Sequence, residues 1–195
     1  SGKQGFEIAL ALKRLGIKTK LILGPSKITA EKGLKVKRIV SAKEMLNEVK
    51  KSLPVDVAVC AAAVSDYRPL SKKKNKIKKN ETNLENLELE RNPDILDYLG
   101  KNNKNRPKVV VGFSAETENI IQNSKMKLKD KYCDLIVAND VSKEGIGFNS
   151  DYNKVSVIDN VGKIHSIPRN KKSYIANSIA QIILDKLLMN DKNFN

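Results

Sequence analysis

The sequence contains no tryptophan, and aromatic residues make up only 5% of its 195 positions. A core built from it is aliphatic, and the aromatic platforms on which single-stranded nucleic acids stack are missing. There is one histidine, His165, and there are two cysteines, Cys60 and Cys133, far apart in the chain. That donor set is too scattered for a structural zinc site. Both cysteines sit in apolar runs, so they read as buried thiols of a protein in a reducing, cytoplasmic setting. No run approaches the ~18 apolar residues of a membrane helix, and the first residues do not read as a secretory signal. Arginine is also scarce: of the 37 basic residues, 31 are lysine and six are arginine.

The formal net charge is +15. One explanation is a polyanionic partner. The other is a lysine-rich composition, which the 20 asparagines accompany, set by the genome rather than by function. Base readout in nucleic acids leans on arginine, and six arginines with no recognisable binding motif make a nucleic-acid module the weaker reading.

The length suits one domain, expected over residues 1–190 with a tail at 191–195. Residues 2–15 read as a largely buried helix stopped by Gly16. Residues 19–23 read as a strand ended by Gly24 and Pro25. Residues 41–53 form an amphipathic helix with Ser41 as its N-cap. Continuous apolar runs at 55–64, 108–115 and 133–140 read as strands, with a helix over 118–132. Residues 154–167 read as a hairpin about Asn160, Val161 and Gly162. A last helix covers 172–189, with Ile175, Ile179, Ile182, Ile183 and Leu187 as its apolar stripe. Helices alternating with strands that are apolar at every position imply an α/β fold, doubly wound about a mostly parallel sheet buried on both faces. The stretch 70–92 is polar and lysine-rich, too long for an idle connection in a compact domain. Within it, "SKKKNKIKKNE" carries six lysines between Lys72 and Lys79. It is either a solvated loop or a device for holding phosphates.

Ligands of open α/β sheets bind beyond the carboxyl ends of the strands. Those ends read "LILGPS", "VCAAAVSDY", "VGFSAET" and "VAND". Ala61, Ala62 and Ala63 would let a ligand approach the backbone, and Asp66, Glu116, Asn139 and Asp140 are expected near one crevice. The plainer alternative is that the small residues serve packing and the polar ones cap helices. A dinucleotide fingerprint and a Walker A loop are both absent. Ser1, Gly2 and Gly5 nonetheless open a helix whose free N–H groups suit a phosphate. Lys127 and Lys131 share one side of a helix and face either phosphates or water.

Six motifs, "SGKQG", "AAAVSDYRP", "KIKK", "NPDIL", "GFSAET" and "VANDV…GFNSD", stand in the order found in phosphopantothenoylcysteine synthetase, the CoaB domain of the bacterial bifunctional coenzyme A biosynthesis protein. The chain resembles that family from Ser1 to about residue 185. The resemblance implies a Rossmann-like, CTP-dependent synthetase domain. Such a domain condenses 4′-phosphopantothenate with L-cysteine through an acyl-cytidylate; an ATP-using version is the alternative. It implies that Lys76, in a flap over about 66–92, reaches the reacting phosphate. It implies a nucleotide site formed by Cys60, Ala61, Ala62, Asp66, Pro93, Asp94, Ile95, Leu96, Phe113, Lys127, Lys131 and Asn139, with Gly2 and Gly5 near the triphosphate. Ala62, Ala63 and Asp66 would hold phosphopantothenate. Mg²⁺ would arrive with CTP, no resident metal is expected, and FMN would belong only to an upstream decarboxylase domain. A homodimer is implied, with neither nucleic acid nor membrane as partner. The family motif also includes an Asn three residues before Ser1 and a preceding strand, so the chain reads as N-terminally incomplete.

Overall fold

The structure, a computed structural model, describes residues 2–29, 31–71, 87–102, 104–141 and 150–192. Helix α1 (Lys3–Arg14) is followed by strand β1 (Lys20–Leu23). The helix stops where expected. Gly16 N–H donates to Lys13 O at 3.0 Å and Ile17 N–H to Leu12 O at 3.1 Å, a pair of bonds that satisfies its last carbonyls. Strand β2 (Lys35–Arg38) pairs in parallel with β1. It was not legible in sequence, because "KVKR" offers one apolar residue, Val36, and the strand lies on an edge. Helix α2 (Ala42–Ser52) starts at Ser41, whose Oγ accepts from Glu44 N–H at 3.2 Å while Glu44 Oε2 accepts from Val40 N–H at 3.1 Å. This resembles a capping box, with the return bond made to the residue before the N-cap.

The apolar run at 55–64 is shorter as a strand than its composition suggests. Strand β3 is Val57–Cys60, and Ala61 to Ser65 leave the sheet once pairing with its neighbour ends at Gly112. A short antiparallel ribbon follows, β4 (Tyr67–Pro69) with β5 (Leu89–Arg91). Three polar-facing residues per strand carry no periodicity, so the ribbon too was invisible in sequence. It frames the lysine run, and the expected flap residues 72–86 lie outside the described residues.

The remaining elements are α3 (Ile95–Lys101), β6 (Val109–Glu116), α4 (Ile120–Asp130), β7 (Leu135–Asp140), β8 (Tyr152–Asp159), β9 (Ile164–Lys171) and α5 (Lys172–Lys192). The central sheet has the order β3-β6-β7-β8-β9, with β3, β6 and β7 parallel and the β8–β9 hairpin antiparallel. The hairpin turn is where the sequence put it, and Asp159 Oδ1 secures it by accepting from Val161 and Lys163 N–H.

Alternate residues of β6 and β7 serve opposite layers. Val109, Val111, Leu135 and Val137 pack with Ile8 and Leu12 of α1 and Ile175, Ile179 and Ile183 of α5. Val110 packs with Ile95, Leu96 and Leu99 of α3, and Ile136 with Ile120 and Ile121 of α4. Burial on both faces is why these strands read as unbroken apolar runs. The doubly wound expectation therefore holds.

Candidate active site at the carboxyl ends of the strands

Helix α1 points its first turn at the end of β3. A Cβ on Gly5 would stand 3.4 Å from the Cβ of Ala61. Gly2, at φ 72°, is the N-cap, and no side chain caps the helix there. A Cβ on Gly2 would meet Leu23 Cδ1 at 3.1 Å and Ser26 Oγ at 3.6 Å. So the uncapped first turn of α1 sits over the ends of both β1 and β3. Glycine allows the positive φ at Gly2 and the tight approach. The helix dipole and its N–H groups suit an anion in this place.

The opposite layer holds a charged cluster. Asp94 caps α3 by accepting from Asp97 N–H at 2.9 Å, and its Oδ2 lies 2.8 Å from Lys131 Nζ. Burial works to raise the Asp94 carboxyl, but the Asp97 N–H bond and the Lys131 and Lys127 ammonium groups outweigh it and hold it below the ordinary carboxylate value. The hydrogen bond to Asp94 raises Lys131 in turn, against the cost of its own burial. Cys60, Pro93 to Leu96, Lys127 and Lys131 therefore form one neighbourhood. Ile95 and Leu96 are core residues of α3. Cys60 packs beside them with its thiol pushed up to about 12, chiefly by burial, and Cys133 is pushed up to about 12 in the same way. Values that high keep both thiols protonated at neutral pH.

Other expected site residues lie apart from this cluster. The Phe113 side chain packs into the α1–α5 layer, on the other face of the sheet from Lys127 and Lys131. Asn139 sits at the end of β7, opposite Ala115, and its Oδ1 accepts from Asn153 Nδ2 at 3.1 Å. Glu116 and Asp140 are opposed in the same ladder. Asp66 is held through its backbone, its carbonyl accepting from Asn92 N–H at 2.7 Å. Ala62 and Ala63 lie in the irregular stretch after β3, where Val64 N–H donates to Ala62 O at 3.1 Å. Lys76 and Ser1 fall outside the described residues. Among the described residues no three His, Cys, Asp or Glu side chains gather as metal ligands, and no helix is long and apolar enough to cross a membrane.

A cleft of about 400 Å³ opens between α2 and the ribbon, lined by Lys43, Leu46, Asn47, Arg68, Arg91, Asn92 and Pro93. It touches the expected site only at Pro93. Arg68 and Asn92 were missed in the sequence, although "SDYRP" and "RNPDIL" flag both places. The α1 end is further tied by Lys3 Nζ to Asp151 Oδ1 at 2.5 Å, a pair that no spacing in the sequence announces.

The family model for the DNA/pantothenate metabolism flavoprotein C-terminal domain, DFP, matches residues 1–187. The chain belongs to this family. It is 37% identical over 185 residues to the coenzyme A biosynthesis bifunctional protein CoaBC of Borreliella burgdorferi, covering 94% of this chain and 46% of that one. The CoaBC of Bacillus subtilis is 36% identical over 185 residues, with 94% and 45% covered. The chain thus spans less than half the length of these relatives. Among solved structures, the C-terminal domain of CoaBC superposes with a TM-score of 0.78 at 31% identity, covering 98% of this chain and 84% of that one. The DFP assignment agrees with the mixed α/β architecture and with the order of the six motifs.

Proposed function

We propose that this DFP domain is a ligase of coenzyme A synthesis that joins 4′-phosphopantothenate to L-cysteine with CTP. The observation that carries the reading is the uncapped α1 turn at Gly2–Gly5 set against Ala61 after β3 on one face, with Asp94 near Cys60 on the other face and Lys131 and Lys127 beside Asp94. The free N–H groups of α1, with the ammonium groups of Lys127 and of Lys131 that Asp94 and Asp97 hold at 2.8 and 3.8 Å, suit a ligand with several phosphates, and the relatives named for coenzyme A biosynthesis supply the chemical context.

In this reading the pantothenate carboxylate attacks the α-phosphorus of CTP. The bond to the bridging oxygen breaks, and pyrophosphate leaves from an acyl-cytidylate. The cysteine amine then attacks the acyl carbon, loses a proton, and CMP leaves as the amide forms. Ala62, Ala63 and Asp66 border phosphopantothenate. The backbone at Cys60 to Ala62 and Pro93 to Leu96 borders the nucleotide, with Phe113 and Asn139 completing its site. Lys127 and Lys131 balance phosphate charge, and Lys76 offsets the charge that builds at the α-phosphorus. Mg²⁺ fits as a companion of the nucleotide, since it commonly rides on substrate phosphates with few protein carboxylates. The domain works as a cytoplasmic homodimer.

The test is pyrophosphate release by the purified protein at its native length. Release from CTP should require phosphopantothenate, and CMP should appear when cysteine is added. Lys76→Gln should slow the first step about 10²-fold, the scale of losing one charge-stabilising donor, and Lys73→Gln should leave it unchanged. Release that ignores phosphopantothenate would overturn the ligase reading; preference for ATP would correct only the nucleotide.

A further inference from the structure

The loop that carries Asp66 and the segment that begins α3 are joined by one side chain. Asn92 N–H donates to Asp66 O at 2.7 Å, and Asn92 Nδ2 donates to Ser65 O at 2.8 Å and to Tyr67 O at 3.4 Å. Three successive carbonyls are thus caught by one residue. Asn92 Oδ1 in turn accepts from Arg68 Nη1 at 2.7 Å. The same nitrogen of Arg68 donates to Arg91 O at 2.9 Å, and its Nε donates to Glu90 Oε1 at 2.8 Å. The hub spans both strands of the β4–β5 ribbon and the chain on either side of it. Two residues beyond Asn92 stands Asp94, whose carboxylate fixes Lys131.

We infer that Asn92 and Arg68 are positioning residues that set the distance between the Asp66 loop and the Asp94–Lys131 cluster, and with it the fit of the nucleotide. The inference rests on the ligase reading above. The chemistry of the hub is specific. Asn92 must donate on the side of the carbonyls and accept on the side of the guanidinium, and among the side chains of its size only an amide does both. A carboxylate there would face carbonyl oxygens with no proton to give. Arg68 must reach an amide oxygen, a backbone carbonyl and a carboxylate together, which the forked guanidinium does and an ammonium does not. Neither residue needs to touch a substrate. A small displacement of either walled segment is enough, since misplacement by about 1 Å costs a reaction about 10²-fold.

An ion pair that touches none of these residues serves as the control. Lys20 Nζ lies 2.5 Å from Glu48 Oε1 and donates to Ser52 Oγ at 3.0 Å. It ties the start of β1 to the last turns of α2. Asn92→Asp is expected to raise the KM for the nucleotide about tenfold while the KM for cysteine moves less than about twofold. Arg68→Lys should fall between that variant and the wild type. Lys20→Met should lower the melting temperature and leave both KM values within about twofold. If Asn92→Asp does not fold, Arg68→Lys carries the comparison. Kinetics unchanged in Asn92→Asp or Arg68→Lys, or KM shifts shared equally by Lys20→Met, would overturn the positioning role. A wild-type protein that releases no pyrophosphate with any nucleotide would overturn the ligase reading instead.

Discussion

Lys131 and Asp94 stand 2.8 Å apart with about a third and a half of their side chains exposed, respectively. Solvent therefore limits the pair to about 1 kcal/mol or less of stability. Its pH dependence is nonetheless defined. Asp94 is held below its ordinary 3.8, so its contribution is complete above that value and is lost as pH falls through the lower folded pKa. Lys131 is raised above 10.5, so its contribution is complete below 10.5 and is lost as pH rises through the raised value. The melting-temperature gap between wild type and Asp94→Asn should be flat from about pH 6 to 9 and shrink below about pH 4. Thermal scans carried into acid check it, and a gap that never narrows as pH falls below about 4 would contradict the ion pair. Spacing alone had placed Lys127 and Lys131 on one side of a helix. It said nothing of Asp94, thirty-odd positions away in the chain, because a partner across the fold leaves no local periodicity.

At the scale of elements, α1 and α5 pack on the same face of the central sheet. Ile175, Ile179 and Ile183 are fully buried there, and Ile182 and Leu187 are partly so. The helical stripe in the sequence identified all five, since a buried face repeats at the helical period. Ile179→Ala is expected to cost about 2–5 kcal/mol, the range for truncating a core aliphatic side chain. The same change at the exposed Leu188 should cost less than about 1 kcal/mol. Urea titrations of the two variants make the comparison, and equal losses would show that the packed face is assigned wrongly. The short strands fared differently. Strand β2 and the β4–β5 ribbon are held by backbone pairing with one face exposed, so few apolar residues mark them. The 55–64 run shows the converse. Alanine and valine past Cys60 look like strand, but the chain leaves β6 there: pairing ends at Cys60 and Gly112 although β6 runs on to Glu116.

For the whole molecule, the charge of +15 makes weak, indiscriminate attraction to polyanions unavoidable. That attraction is a matter of released counterions and collapses with salt. Binding to random duplex DNA should weaken by more than about tenfold between 50 and 200 mM salt. On the proposed ligase reading, pyrophosphate release from CTP would depend on a few close phosphate contacts and should fall by less than about threefold over the same range. Fluorescence anisotropy and the coupled assay give the two slopes. DNA affinity that survives the salt and discriminates between sequences would favour the nucleic-acid alternative.

The sequence by itself determined the aliphatic core, the two-layer burial of β6 and β7, the helix ends at Gly16 and Ser41, the hairpin about Gly162 and the order of the motifs. All of these depend on neighbours a few residues apart or on composition, which a linear chain displays. Tertiary structure decided the rest. Gly5 is brought against Ala61, Asp94 against Lys131, and Asn92 against three carbonyls of the Asp66 loop. It also put the Phe113 side chain on the opposite face from the lysines of α4. Each of these rests on where the sheet ends its pairing and how the helices pack across it, so the contacts exist only once the strands have found their partners.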